Sequence, residues 1–197
     1  MKKTFSFVVG LFMLLILPAV SFSAGPGWYI SGQFGVAFLT DSDISGWSER
    51  GTLEFDTGFA TGFAGGYNFG MFRVEGEMEY QYNDIDKVSG EGYSGGDVTA
   101  LSSLANGYYD FLNKTPFTPF ITAGIGLARI GFNDIDGDDY DDMVFAYQVG
   151  FGVAYAINKN MSIDLKYRYF ATEDPNFDGV DAEFASHNIY CGFRYNF

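Results

Sequence analysis

The length of 197 residues is that of one ordinary domain, and its composition excludes several classes of protein. Aromatic residues make up 19% of the chain, and 26 glycines accompany only 5 prolines, which argues against a disordered chain and against a helical bundle. The 25 acidic residues outnumber the 11 basic ones, so the chain lacks the basic surface that binding of nucleic acid requires. The single cysteine, Cys191, leaves no internal disulfide possible.

The first 23 residues have the three parts of a secretory signal peptide. Lys2 and Lys3 precede an apolar run over residues 7–20, and the small residues Ser21 and Ser23 follow. This order is typical of a signal that is cleaved after Ser23. A retained membrane helix is the alternative, although the run is shorter than the roughly 20 residues that a bilayer needs. We therefore expect a cleaved signal peptide over 1–23 and one exported domain over 24–197.

After residue 24, bulky apolar residues alternate with small or polar ones in eight stretches. Because successive side chains of a strand point to opposite faces, this period of two indicates β-strands. The predicted strands are 28–39, 54–67, 72–82, 98–111, 117–130, 144–155, 161–170 and 184–197.

The connections between these strands alternate in length. Those at 68–71, 112–116 and 156–160 are short turns, whereas those at 40–53, 83–97, 131–143 and 171–183 are long and polar. The turns and both termini then share one end of the molecule, and the long loops share the other. This pattern predicts an all-β fold, an eight-stranded antiparallel up-and-down transmembrane β-barrel with periplasmic turns and extracellular loops.

The bulky face of each strand fixes which side of the barrel meets lipid. An eight-stranded barrel has an interior only just wide enough for side chains, so rows such as Phe59, Phe63 and Phe151 must point outward. Aromatic residues are expected to ring both membrane interfaces, with Trp28 and Tyr67 at the turns. The alternative is a secreted, lipocalin-like barrel with the two faces reversed.

Small or charged residues occupy the opposite, inward face. Glu75, Glu77 and Glu79 lie on the third strand, diametrically opposite Asp164, Lys166 and Arg168 on the seventh. Because a buried charge needs a partner, we predict an interior ion-pair network that fills and closes the lumen. It comprises Arg73, Glu75, Glu77, Glu79, Asp110, Asp164, Lys166, Arg168 and Arg194, with Arg73, Asp110 and Arg194 forming a second cluster near the turns. Glu54 and Asp56 would add inward carboxylates, and the alternative interpretation is a proton or cation path.

The C-terminal strand carries the most specific motif, with Gly192, Tyr195 and the aromatic Phe197 in alternating positions. This pattern resembles the signal by which the assembly machinery recognises bacterial outer-membrane barrels. Further local matches lie at 106–111, 119–128 and 147–155. On these residues the chain is similar to the small eight-stranded outer-membrane barrels of the OmpA-like and Opa-like type, which include porin-family barrel domains and bacterial surface antigens.

The resemblance covers essentially the whole chain after the signal. It implies a bacterial outer-membrane location, with lipid, lipopolysaccharide and the barrel assembly machinery as partners and no cofactor. The roles found in the family range over adhesion, immune interaction, envelope integrity and weak pore formation. The resemblance therefore specifies the fold more closely than the activity.

The loop at 131–143 is the most acidic part of the chain, with six aspartates in ten residues. Oxygen-rich ligands around a glycine favour calcium, and the hypothetical ligands are Asp134, Asp136, Asp138 and Asp142. The chain lacks the spacing and the final glutamate of an EF-hand, so a solvated, self-repelling surface loop is the alternative. Weak ion bridging to lipopolysaccharide phosphates would be the function of a calcium site.

The single histidine, His187, is the one candidate for catalysis. A nucleophilic hydrolase needs a serine and an acid in register with its histidine, but Ser186 points to the opposite face of its strand. We therefore predict a non-enzymatic protein that serves envelope structure or binds host or cell-surface ligands through its loops. The alternatives are a narrow porin or small-solute conduit and, less favoured, a lipid-modifying enzyme.

Overall fold

A computed structural model describes residues 25–40, 42–45, 51–88, 91–92, 96–135, 138–173, 176–177, 180–182 and 184–197. Within these ranges no helix is long and apolar enough to cross a bilayer. The segment 1–23 lies outside the described residues, so its removal as a signal peptide stays a prediction.

Eight strands form a closed antiparallel β-barrel, which confirms the predicted fold class. They are β1 (Gly27–Leu39), β2 (Gly58–Asn68), β3 (Phe72–Val88), β4 (Asp97–Asp110), β5 (Phe117–Ile135), β6 (Asp138–Ala156), β7 (Met161–Thr172) and β8 (Ala185–Asn196). Each strand pairs with the next along the chain, and β1 pairs with β8 to close the sheet. Closure leaves the barrel wall without an unpaired edge, which is a requirement for a sheet that crosses a membrane.

The register of the strands gives the barrel its stagger. Starting at Tyr29 and stepping across the paired residues leads through Gly66, Glu75, Asn106, Gly124, Gln148, Phe170 and Ser186 to Leu39. One circuit therefore returns to β1 ten residues further along. A shear of this kind tilts the strands against the barrel axis, typically by about 35–45°.

The predicted second strand, 54–67, is interrupted in the structure. Gly51–Phe55 is a separate short strand that pairs with the distal part of β3, and the sheet resumes at Gly58. At the break the Asn83 side chain donates hydrogen bonds to the carbonyl oxygens of Asp56 (2.9 Å) and Ala37 (3.1 Å), replacing regular ladder bonds. Asp56 is exposed there, so its predicted inward position is wrong. The side chain of Glu54 lies outside the described part of the chain.

Strands also extend into regions that the sequence assigned to loops. β3 continues to Val88, and β5 and β6 extend to Ile135 and Asp138, so much of 131–143 is a β-hairpin. The short strands Ser42–Ser45, Glu91–Gly92, Asn176–Phe177 and Val180–Ala182 add to this loop end. The loops lie at the predicted end of the barrel, but backbone pairing continues into them.

The opposite, turn end is compact. In the β2–β3 turn, Gly70 has a φ of 105°, a left-handed conformation that glycine adopts without a steric penalty. The Asn68 side chain accepts a 2.7 Å hydrogen bond from the Gly70 amide, which fixes the turn. This geometry explains the glycine at that position.

The two faces of the barrel are opposite in character. Large apolar side chains such as Phe63, Ile125 and Phe151 are exposed on the outside, whereas the acidic and basic side chains of β3 and β7 that form the ion pairs, such as Glu77 and Arg168, are buried inside. The alternative of a soluble barrel with reversed faces is therefore wrong, because it would place the charges outside. A belt of exposed apolar side chains is the surface that a lipid-facing barrel presents.

Candidate functional site

Arg168 of β7 is the centre of the ion-pair network in the lumen. It is the largest of the fully buried side chains, at 1% exposure. Its guanidinium donates to the carboxylates of Glu77, at 2.9 Å, and of Glu79, both on the facing wall of β3. The Tyr190 hydroxyl accepts a bond from Arg168 and donates a 2.7 Å bond to Glu79. These charge-assisted bonds tie opposite walls of the barrel together.

Lys166 adds a second cation to the same layer. Its ammonium lies 3.5 Å from the Glu77 carboxylate and 5.2 Å from the centre of the Tyr190 ring. Gln33 of β1 donates a 2.8 Å hydrogen bond to Glu79. The Glu77–Glu79 pair is therefore held by β1, β7 and β8 at once.

Glu75 has neutral partners. Its carboxylate accepts hydrogen bonds from the hydroxyls of Tyr29 (2.8 Å) and Tyr108 (2.6 Å) and from the Asn106 amide (3.2 Å). Asn106 also donates to Glu77 and accepts from Gln148, so it joins two carboxylates of β3 to β6. The sequence pattern places these tyrosines and amides on the inward face, but it does not identify Glu75 as their shared acceptor.

A second layer of ion pairs lies toward the turn end. Arg73 donates two bonds to Asp110, at 2.7 and 2.8 Å, and stacks on the Tyr108 ring, 4.1 Å from its centre. Arg194, which the sequence grouped with this pair, donates instead to Ser162 (3.1 Å) and Asp164 (3.3 Å). The predicted cluster is thus two separate ion pairs, and the carboxylate partner of Arg194 lies on the neighbouring strand β7.

An apolar cluster that sequence reasoning missed lies at the loop end of the lumen. Buried apolar side chains from β4 to β7 pack here with Phe184, and the cluster comprises Val98, Ala100, Leu104, Ala128, Ile130, Val144, Ala146, Phe170 and Phe184. Facing it, Ser186 donates to Gln81, which donates to Asn83. Two layers of side chains thus lie inside the barrel, ion pairs in its middle and apolar packing near the loops.

Two small cavities lie inside the described part of the barrel. One cavity of about 40 Å³ opens at the turn end and another of about 30 Å³ lies deeper, beside Glu75 and Lys166. Each has room for a few water molecules at most. Arg194 lines both cavities.

An exposed ion pair lies at the loop-end rim of the outer surface. Arg129 donates a 2.9 Å hydrogen bond to Asp141 across the β5–β6 hairpin, and both side chains are exposed. This bond holds the pKa of the Asp141 carboxyl below its usual range. Arg129 is thus paired with an acid on the exposed rim.

His187 lies on the outer face of β8, away from every carboxylate of the lumen. Its Nδ1 is 2.7 Å from the Tyr167 hydroxyl, and its ring packs against Tyr169. Ser186 is buried on the opposite face. In the described part of the chain these residues do not form a nucleophile, base and acid in register.

The calcium hypothesis involves four aspartates of the β5–β6 hairpin. Asp136 lies outside the described residues, and of the four only Asp142 has a described side chain, which accepts a 2.7 Å bond from the Met143 amide. The hypothesis therefore stays a prediction. Among the described residues, no group of three or more histidine, cysteine, aspartate or glutamate side chains is placed to hold a metal ion.

Comparisons with known proteins agree with this architecture. A family model described as outer membrane protein beta-barrel domain matches residues 7–197. The alignment with outer membrane protein PagN of Salmonella typhimurium is 240 residues long, with 27% identity. It covers 97% of this chain and 98% of PagN. A putative adhesin of Rickettsia conorii is 28% identical over 120 residues, or 50% of this chain and 48% of the adhesin. The crystal structure of Neisserial surface protein A superposes with a TM-score of 0.61 at 24% identity, covering 87% of this chain and 97% of that protein.

Proposed function

Because the chain belongs to the outer membrane protein beta-barrel family, we propose that it is a non-enzymatic surface protein whose closed barrel anchors ligand-binding loops. The protein is located in the bacterial outer membrane. In this proposal the turn end faces the periplasm and the loop end faces the outside of the cell. Lipid and lipopolysaccharide surround the belt, and host or cell-surface molecules contact the loops.

The observation that supports this proposal is the packing of side chains inside the barrel. Arg168, Glu77 and Glu79 join opposite walls, and the apolar cluster with Phe170 and Phe184 occupies the space toward the loops. A barrel filled in this way provides rigidity rather than a passage. In this proposal the loop end is the part that binds, and the similarity to a putative adhesin over half of the chain supports a role in binding.

The C-terminal residues supply the proposed route of assembly. Phe197 is exposed, and its amide donates a 3.0 Å hydrogen bond to the Trp28 carbonyl oxygen, where β8 closes on β1. Tyr195 stacks edge-on against Phe197, at 5.3 Å between ring centres. Gly192 lies on the same strand, two residues before Arg194. We assign these residues to recognition by the barrel assembly machinery after removal of the signal peptide.

Loop exchange tests the binding role. A strain that lacks the gene would carry either the wild-type chain or a chain with 40–53, 83–97, 131–143 and 171–183 replaced by short turns. Equal surface amounts would be verified by heat-modifiable mobility of the barrel on gels. We expect adhesion to cultured host cells to fall to the level of the empty strain. A control that keeps loop lengths but neutralises the aspartates of 131–143 separates charge from shape, and full adhesion of the short-turn chain contradicts the proposal.

The second candidate function is a narrow pore, and it is favoured by two small cavities inside the barrel that both have Arg194 in their lining. Planar-bilayer recordings distinguish the functions, because an anchor gives no openings whereas a pore gives discrete currents. Frequent openings of the wild-type chain would make transport the primary role.

A further inference from the structure

A groove of about 730 Å³ lies on the outer surface of the barrel near the turn end. Its floor is made of small residues on three adjacent strands, Gly65 of β2, Gly76 of β3 and Ala105 and Gly107 of β4. Gly65 pairs directly with Gly76, and Gly76 with Ala105, so the floor is continuous across the sheet. Larger side chains stand around it, including Trp28, Tyr67, Phe69 and Val74.

The glycines of this floor differ from those of the lumen. A Cβ at Gly66 would overlap the Val74 carbonyl oxygen and lie 2.6 Å from the Tyr29 ring, so packing of the lumen requires glycine there. A Cβ at Gly65 or Gly76 would meet no atom within 4 Å, and at Gly107 the nearest is the Ala123 oxygen, at 4.0 Å. The barrel itself therefore does not require these outward glycines.

Glycine inside a strand weakens it, and it usually marks a bulge, a bend or the close approach of a ligand or another backbone. The register from β2 to β4 runs without a bulge past Gly65, Gly76 and Gly107. Close approach by something outside the chain is the remaining explanation for three such residues around one groove.

The position of the groove identifies the occupant. Ile30 and Ile125 flank the floor in the same row of paired residues, and both are exposed members of the lipid-facing belt. The groove is thus continuous with the surface that acyl chains already cover in the outer membrane. Lipid chains fill such a space, because an empty groove forfeits the dispersion contacts of its lining.

A second copy of the barrel fits less well. Its convex outer wall would rest on Trp28 and Tyr67, whose rings stand edge to face at 5.2 Å, and would not reach the glycine floor. A single acyl chain is narrow enough to reach it. Aromatic rings of this kind lie at the headgroup level of membranes, so the chain would enter from the leaflet at the turn end.

We propose that this groove binds an acyl chain of a phospholipid from the leaflet at the turn end, and so retains one phospholipid on the barrel. The leaflet assignment rests on the orientation given under the proposed function, whereas the acyl-chain site rests on the groove alone. Recognition is by the chain, so the headgroup is expected to matter little and chain length to matter strongly.

Native mass spectrometry of the full chain in detergent, with added dioleoylphosphatidylethanolamine, tests the proposal. We expect one phospholipid to be retained by the wild type. The Gly65→Leu/Gly76→Leu variant places two leucine side chains on the floor of the groove, where a Cβ meets no other atom of the barrel. It should therefore retain about tenfold less phospholipid than the wild type. Cys191→Leu adds similar bulk to the exposed outer face of β8 and is the matched control, with retention unchanged. Heat-modifiable mobility on gels verifies folding of each variant.

Several outcomes would overturn the inference. These are undiminished retention in the filled variant, retention of lipopolysaccharide in place of phospholipid, and a dimer that filling the groove abolishes. Dioleoylphosphatidylglycerol should bind as well as the ethanolamine lipid, and a dihexanoyl phospholipid should not. If Gly65→Leu/Gly76→Leu fails to fold, Gly107→Val provides the same comparison. None of these measurements depends on adhesion or conductance, so their failure is distinct from failure of the proposed function.

Discussion

Arg168 and Glu77 face each other across the lumen, with 2.9 Å between the guanidinium nitrogen and the carboxylate oxygen. They lie on opposite walls of the barrel, and both side chains are almost completely buried. A buried ion pair gains little over an apolar pair of the same size, but loss of one partner leaves an uncompensated charge. The network therefore couples the stability of β3 to that of β7.

Replacing Arg168 with methionine should destabilise the barrel by about 3–5 kcal/mol, because Glu79 loses its cation. Urea unfolding in phospholipid vesicles, followed by tryptophan fluorescence, measures the change. The double variant Arg168→Met/Glu79→Gln should recover part of the loss, since the amide is neutral and Glu77 keeps Lys166. Unfolding of Arg168→Met at the wild-type urea concentration would show that the pair is not coupled to folding.

Gly65 and Gly66 are expected to respond oppositely to alanine. Gly66→Ala places a methyl group against Tyr29 and the Val74 carbonyl, and should cost about 1–3 kcal/mol. Gly65→Ala meets open space and restricts the unfolded chain, so stability should stay equal or rise slightly. The same unfolding assay compares the two, and equal losses would mean that the lumen packs less tightly than these distances indicate.

Conductance should appear only when both layers of the lumen are removed. Phe170→Ala opens the apolar cluster but leaves Arg168 bonded below it, and Arg168→Ala leaves the cluster above. Planar-bilayer recordings should therefore show no openings for either single variant and discrete openings for the double variant. Openings in one single variant would identify the other layer as permeable to ions.

The Arg129–Asp141 pair predicts a titration outside the membrane. A carboxyl chemical-shift titration should place the pKa of Asp141 below its ordinary value of 3.8, and Arg129→Gln should return it to that value. Because the pKa of Asp141 is lowered in the folded state, the pair contributes to the free energy of unfolding at neutral pH. That contribution is lost as the pH falls through the folded-state pKa. The same pKa for Asp141 in both proteins would show that the exposed pair does not persist in solution.

His187→Ala tests for lipid-modifying catalysis. The imidazole contacts Tyr167 and Tyr169 on the outer face, and the lumen carboxylates are on the other side of the wall. We expect the mass spectrum of lipid A to be the same in strains that carry the variant, the wild type or no copy of the gene. A mass shift that depends on His187 would establish an enzymatic role.

The sequence predicted the alternation of faces, the order of the strands and the ends at which turns and loops lie. Period-two patterning is local, and each Glu of β3 was assigned its face from its parity alone. Pairing between distant side chains is not local. Arg194 bonds to Asp164 because β7 and β8 are neighbours in a particular register, and parity does not distinguish that partner from Asp110.

Two parts of the structure depend on information that the alternation does not contain. The apolar cluster includes Phe170 and Phe184, whose inward positions follow from parity, but its packing depends on which strands adjoin. The break at Asp56 depends on one side-chain amide, that of Asn83, which satisfies two carbonyl oxygens where the ladder stops. Hydrophobic patterning alone treats such an asparagine as one more polar inward residue.

The pairing of β1 with β8 has a kinetic consequence. Tyr29 and Asn196 are partners in the register, although nearly the whole described chain separates them. The backbone groups of β1 that face β8 have no hydrogen-bond partners until β8 has been synthesised. A partly translated chain therefore exposes two unpaired strand edges. Insertion of the barrel into the membrane should therefore follow complete translation and occur as a single cooperative event. An open sheet, in which β1 and β8 are unpaired, is poorly tolerated in lipid.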